Sequence, residues 1–203
     1  MAEPAGKRLK SSLPLCRTHR SSAGSRARLN LQAAVEEALC GVSSLLTDGA
    51  YRLQALCISA YRLCFISCRP RVASFFHQEA LKQEQEAEAM LGYLAERGGS
   101  YCGKDVQKPG CDGVCAVLPA LELLLLQLKE EVGVLVELNQ LARNNGDPHA
   151  ASVVTRHFLT LWVDRLKLLG DLLTSARRVG CTNDRTGGFG EYLLNELQEE
   201  LTR

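Results

Sequence analysis

The chain has 203 residues, and its 24 lysines and arginines nearly balance its 23 aspartates and glutamates, giving a formal net charge of +1. This length suits one domain that buries a core without disulfides or metals. The charge balance gives no bias toward nucleic acid, and no apolar run approaches the roughly 20 residues needed to span a bilayer. We therefore expect neither a nucleic-acid partner nor a membrane location.

Residues 1–33 are predicted to form a disordered basic tail, which precedes one folded domain at 34–203. The tail has a single acid, Glu3, and many basic residues: Lys7, Arg8, Lys10, Arg17, Arg20, Arg26 and Arg28. Two other interpretations stay open. Segments rich in Arg and Ser and poor in acids also serve as mitochondrial transit peptides. Residues 7–10 also fit a nuclear localisation signal.

The nine cysteines are an odd set, and several fall inside helical patterns, where a thiol behaves as a small apolar side chain. This usage predicts reduced cysteines in the cell interior. We expect a cytoplasmic location, with the mitochondrion as the alternative. Neither Cys64 with Cys68 nor Cys111 with Cys115 has a second Cys or His pair nearby, so a zinc site is not expected.

The first half of the domain predicts a helical hairpin. Apolar residues at helical spacing predict a first helix over 35–63, and Pro70 then interrupts the chain. A second helix begins near Arg71 and is closed by Arg97-Gly98-Gly99, a basic last turn followed by glycines. The segment 100–113 has no period and is long enough to cross from one end of a bundle to the other.

The second half predicts another hairpin and a final short helix. A third helix spans about 114–145, and Asp147 caps a fourth helix that continues to about Val179. The fourth helix has an apolar stripe of Val154, Phe158, Leu161, Trp162, Leu166, Leu169 and Leu173. A short fifth helix follows at 191–201. Two hairpins joined by a long crossover between the second and third helices predict an all-α four-helix bundle.

Short motifs along the chain resemble the ferritin subunit family from Val35 to the C-terminus. The landmarks, in chain order, are Arg97-Gly98-Gly99, Asp105-Val106-x-Lys108-Pro109, Asp147-Pro148-His149, His157-Phe158-Leu159, Leu169-Gly170-Asp171 and Gly190-Glu191-Tyr192-Leu193. The resemblance implies the ferritin-like bundle and a subunit of a hollow shell, of 24 chains in the usual members, that stores ferric iron as mineral. It implies iron as cargo and other ferritin subunits, including heavy chains, as partners.

Ferritin heavy chains oxidise ferrous iron at a dinuclear site built from carboxylates on the first and third helices and a Glu-x-x-His pair on the second. The resemblance places Gln83 and Glu86 at that pair and Leu128 at the third-helix glutamate. It places Trp162 at a fourth-helix glutamine that assists the second metal. Only Glu86 keeps a side chain that binds metal.

The first helix allows two registers at the bridging glutamate of this site. Val35-Glu36 and Tyr51 favour Leu46 there, whereas counting from the second helix chooses Asp48. A dinuclear centre needs several carboxylates to balance four or more positive charges. We therefore predict that Leu46, Gln83, Leu128 and Trp162 do not bind metal and that the chain is not an enzyme.

Ferritin light chains also lack the dinuclear site but keep glutamates on the second helix that seed mineral. The matching positions here are mostly neutral or basic: Gln78, Leu81, Lys82 and Gln85. Glu88 survives at a neighbouring position, so Glu86 and Glu88 are the two candidate metal residues. Acids and a histidine of the family's three-fold pores are likewise replaced by Ser152, Thr155 and Asn139.

Three functions are compatible with these residues. The first is a ferritin-type iron-storage shell subunit without a ferroxidase centre, which mixes with active heavy chains. The second, from another class, is a structural or binding protein that kept the bundle and left iron metabolism. The third is an active ferroxidase, which requires Asp48, Glu86 and a further acid to converge.

Overall fold

The computed structural model describes residues 12–14, 25–62, 69–103, 105–106, 109, 114 and 117–178. All regular structure within these residues is helical: α1 Ala33–Arg62, α2 Arg69–Glu96, α3 Val117–Asn144, α4 Pro148–Val153 and α5 Thr160–Arg178. A π-helical turn, Val154–Leu159, joins α4 to α5 in one continuous fourth helix. The predicted all-α bundle is confirmed, whereas the predicted fifth helix at 191–201 lies outside the described residues. None of the described helices is long and apolar enough to cross a membrane.

The start and end of α2 follow from proline and glycine. The helix begins at Arg69, so Pro70 opens it instead of interrupting the chain before Arg71. Proline is tolerated there because first-turn N–H groups have no partner within a helix. At the other end, Gly98 has a φ of 71°, and the amide of Gly99 bonds to the carbonyl of Leu94. This left-handed cap ends α2 at the predicted motif.

The fourth helix differs from a regular α-helix at the π-helical turn. The side chains of Thr155 and Asn139 both donate to the carbonyl of Ala151, and the amide of Thr160 bonds to the carbonyl of Thr155. Hydroxyl and amide groups that bond to a helix carbonyl disturb the regular ladder and favour such a turn. After it, Trp162 is fully buried and Leu161 is 51% exposed, so the predicted placement of Leu161 on the buried stripe is wrong.

Three described cysteines divide into two kinds. Cys40 and Cys57 are free and buried in helix α1, as the helical pattern predicts. Cys102 is disulfide-bonded, so the prediction of reduced cysteines throughout is wrong at this position. The reason is local: Cys102 lies in the crossover, outside the helices in which a thiol serves as core, and it is only half-buried.

Residues 25–32, which composition assigns to the basic tail, lie against one end of the bundle. Arg28 forms an ion pair of 2.7 Å with Glu36, a fully buried carboxylate at the start of α1. Leu31 is 4% exposed, and the side-chain amide of Asn30 donates to the carbonyl of Gly146. A buried acid and a carbonyl at a helix end thus hold this part of the basic segment in place.

A second buried ion pair closes the same end of the bundle. Arg97 binds both oxygens of Asp147 at 2.8 and 3.2 Å, and it also donates to the hydroxyl of Tyr93. Asp147 is 1% exposed and accepts the amide of Ala150, so it caps α4 as predicted. Arg97 therefore links the end of α2 to the corner between α3 and the fourth helix.

Asp147→Ala should lower the free energy of unfolding by about 3–5 kcal/mol, because it leaves the mostly buried Arg97 without its partner and removes a helix cap. Urea denaturation measures the loss. Arg177→Ala is the matched control, since its ion pair with Glu122 is exposed and contributes about 0–1 kcal/mol. Equal losses for the two variants would contradict the assigned role of the Arg97–Asp147 pair.

Candidate buried polar centre

The predicted ligand positions meet near the middle of the bundle, but most of them supply apolar side chains. Leu46 and Trp162 are fully buried and Leu128 is 6% exposed, all three within one apolar cluster. The alternative first-helix residue, Asp48, is half-buried. Glu88 is exposed on α2, so the structure does not bring it together with Glu86.

Four residues from three helices form a buried polar cluster, hereafter the central cluster: Gly49, Gln83, Gln127 and Glu131. The amide of Gln83 donates to Glu131 Oε1 at 2.5 Å, and the amide of Gln127 donates to the same oxygen and to Gln83 Oε1 at 3.1 Å each. A Cβ at Gly49 would collide with all three side chains. Gly49 therefore provides the space in α1 that the polar groups of α2 and α3 occupy.

Burial controls the ionisation of Glu131. The pKa of this carboxyl is raised to about 8: burial is the main cause and the neighbouring Glu86 adds to it, while the amides of Gln83 and Gln127 act in the opposite direction. A buried carboxylate is costly to keep charged, and the neutral acid avoids that cost. Glu131 Oε2 has no hydrogen-bond partner among the described residues. At neutral pH the central cluster therefore holds a proton.

Glu86 lies beside the central cluster and has a cationic partner from the fourth helix. Arg165 Nη1 is 3.1 Å from Glu86 Oε1, and the two side chains are 19% and 14% exposed. Burial raises the pKa of Glu86, and the charge of Arg165 and the indole of Trp162 lower it by less. The carboxylate at the predicted ligand position on the second helix is thus paired with an internal guanidinium.

A groove of about 630 Å³ lies between α2 and the fourth helix, and Glu86 and Arg165 are among its lining residues. Tyr93 and His149 line it too, and their rings stack with centroids 5.7 Å apart. Tyr93 also shares a 3.0 Å hydrogen bond with His149 Nδ1. The groove therefore gives solvent access to the Glu86–Arg165 pair and not to the more deeply buried Glu131.

Three residues of this centre were not predicted from the sequence: Gln127, Glu131 and Arg165. The signal for two of them was present, since Gln127 and Glu131 continue the helical period between the buried Leu124 and Leu135. Their polarity hid the signal, because polar residues on helices are usually exposed. Nothing local marks Arg165, whose partner lies on another helix.

Comparisons with known proteins agree with this architecture. A family model described as a ferritin-like domain matches residues 62–179. The chain is 36% identical to ferritin light chain of Bos taurus over 126 residues, which cover 62% of this chain and 70% of that protein. It is 35% identical to ferritin light chain of Oryctolagus cuniculus and 32% identical to ferritin middle subunit of Aquarana catesbeiana, over 62% of this chain and 70% and 69% of those proteins.

The chain belongs to the ferritin family. The predicted family membership is therefore confirmed. The central cluster lies within the helical bundle of this family member. Among the residues that the structure describes, no three His, Cys, Asp or Glu side chains are grouped so that they could hold a metal ion. In this ferritin, hydrogen bonds and one ion pair connect the polar groups at the bundle centre.

Glu131→Gln should remove a pH dependence of stability from this ferritin. Glu131 keeps its proton up to about pH 8 in the folded chain and releases it near its ordinary value of 4.5 when unfolded. Raising the pH between those values therefore favours unfolding, and the glutamine side chain of the variant has no proton to lose. Urea midpoints from about pH 5 to pH 8 should fall in the wild type and fall less steeply in the variant, where the raised pKa of Glu86 still contributes.

The control for this experiment is Glu130→Gln on the same helix, which removes an exposed carboxylate 3.8 Å from Arg52 of α1. It should keep the wild-type decline of the urea midpoint with pH. The assignment of the proton to Glu131 is wrong if Glu131→Gln declines as steeply as this control.

Proposed function

We propose that this chain is a ferritin-type shell subunit without a ferroxidase centre. In this role it contributes structure to a cage that stores ferric iron in the cell and takes no part in oxidising ferrous iron. Iron is its cargo, held as mineral. Family membership and the similarity to ferritin light chains support the storage role.

One observation supports the lack of ferroxidase activity most directly: the Arg165 guanidinium is paired with Glu86. A fixed positive charge at the remaining ligand position repels ferrous ions and uses the carboxylate that would bind them. The donor set therefore does not fit a dinuclear iron centre, which needs several ionised carboxylates.

The hydrogen bonds of the central cluster support the same proposal. Glu131 Oε1 already accepts two amide hydrogens, and the raised pKa of Glu131 keeps this carboxyl neutral. A protonated carboxyl is a poor ligand for a hard cation. Leu46, Leu128 and Trp162 fill the surrounding volume with apolar atoms that cannot bind iron.

Partners and location follow from the same role. We propose that the chain joins other ferritin subunits in a shell of 24, with heavy chains supplying the oxidation that this subunit lacks. Mixed assembly would give a shell in which some bundles oxidise iron and others only enclose it. We propose the cytoplasm as its location, with the mitochondrion as the alternative given by the basic segment.

The purified chain should oxidise ferrous iron in air no faster than buffer, because the described residues group no three metal-binding side chains. The formation of ferric species is followed by ultraviolet absorbance, with a heavy-chain ferritin as the positive control. Turnover near that of the heavy chain would overturn the proposal. Particle mass, measured first, ensures that an assembled sample is tested.

Coexpression with a heavy chain tests the shell role itself. Mixed particles with the mass of a complete shell and mineral inside are expected. The alternative, a bundle protein that has left iron metabolism, requires that the chain remain a monomer or dimer by light scattering and stay out of heavy-chain shells.

A further inference from the structure

A short N-terminal segment, Ser12–Pro14, lies across α1 and α3 although it is far from both helices in sequence. The amide and the hydroxyl of Ser12 both donate to the carboxylate of Glu137, at 2.9 and 2.6 Å. Leu13 packs against the buried apolar cluster. Hydrogen bonds to an ionised carboxylate are stronger than those between neutral groups, so this contact has both charge and apolar components.

Gly41 is the position on α1 that admits the segment. The carbonyl of Pro14 lies directly against the place where a Cβ would sit, and Gly41 itself is buried. Glycine in the middle of a helix is less favourable than alanine, because it loses more backbone freedom on folding. Here the missing side chain leaves a notch that a backbone carbonyl fills.

The residues of the segment match this surface one by one. Ser12 is exposed apart from its bonds to Glu137, whereas Leu13 and Pro14 are half-buried. Proline holds its own φ near −65° and keeps the preceding residue extended, so Leu13-Pro14 is prepared for docking before it binds. The surface thus offers a carboxylate to Ser12, an apolar contact to Leu13 and the notch at Gly41 to Pro14.

We propose that the surface around Gly41 and Glu137 is a peptide-binding site whose occupant is this chain's own segment Ser12–Pro14. Glu137 recognises the serine through two donors, and Gly41 admits the backbone of the proline. The segment is a clasp over the seam between α1 and α3.

The first test uses point variants of the full chain. Gly41→Ala adds a side chain where the Pro14 carbonyl lies, so it should lower the urea midpoint and speed hydrogen exchange at the Ser12 amide, which donates to Glu137. Gly133→Ala is the matched control, since it is also a helical glycine but has nothing within 4 Å of an added Cβ. It should raise the midpoint and leave that exchange unchanged.

The second test replaces Ser12, Leu13 and Pro14 by glycines in the full chain, which removes the hydroxyl donor, the apolar side chain and the proline ring that favour docking. In this background Gly41→Ala should raise the midpoint, because alanine favours the helix once the clasp is gone. The reversed sign distinguishes recognition from a general intolerance of α1 to alanine. The proposal would be overturned if Gly41→Ala changed the urea midpoint in the same direction in the wild type and in the triple-glycine chain.

The third test measures binding directly. A synthetic peptide of residues 8–18 should bind the triple-glycine protein, and binding should weaken about tenfold or more when Glu137→Gln removes the charged acceptor. The wild-type protein, whose site is occupied, should bind it far more weakly. Equal binding to the triple-glycine protein, to its Glu137→Gln variant and to the wild type would show that the segment is not recognised here. None of these readouts depends on iron, so they stand apart from the ferroxidase experiment.

Discussion

The burial of polar groups at the centre of the bundle is the constraint on which the rest of this structure depends. A carboxyl taken out of water must be neutral, paired or bound to metal. This chain uses the first two solutions. Glu131 is kept neutral and receives amide hydrogens from Gln83 and Gln127, and Glu86 is paired with Arg165. One oxygen of each carboxyl is thus bonded or paired, and the residues around them, Leu46, Leu128 and Trp162, are buried in one apolar cluster.

The same reasoning connects the centre to function. A metal-binding bundle leaves several carboxylates unpaired until cations arrive, and its cavity is open enough to receive them. In this ferritin the positive charge comes from a side chain that is part of the fold. This ion pair supports the proposed role of a subunit that contributes shell without oxidising iron.

One end of the bundle is held by charges in a different way. Arg28 and Arg97 each reach a buried acid at a helix end, Glu36 and Asp147. Composition alone cannot show this, because a count of charges contains no partners. A segment with the composition of a disordered tail is thus in part attached to the bundle, first at 25–32 and again at Ser12–Pro14.

Local chemistry in the sequence determined the helices, their order and the family. Apolar spacing predicted four helices, and Arg97-Gly98-Gly99 and Asp147-Pro148-His149 marked two of their ends, because caps and turns depend on neighbouring residues only. The sequence also determined which predicted ligand positions are apolar. Only the tertiary structure decided which distant residues contact each other. It brought Glu131 to Gln83, Arg165 to Glu86 and Pro14 to Gly41, since each of these contacts joins residues distant in sequence whose meeting depends on helix packing and register.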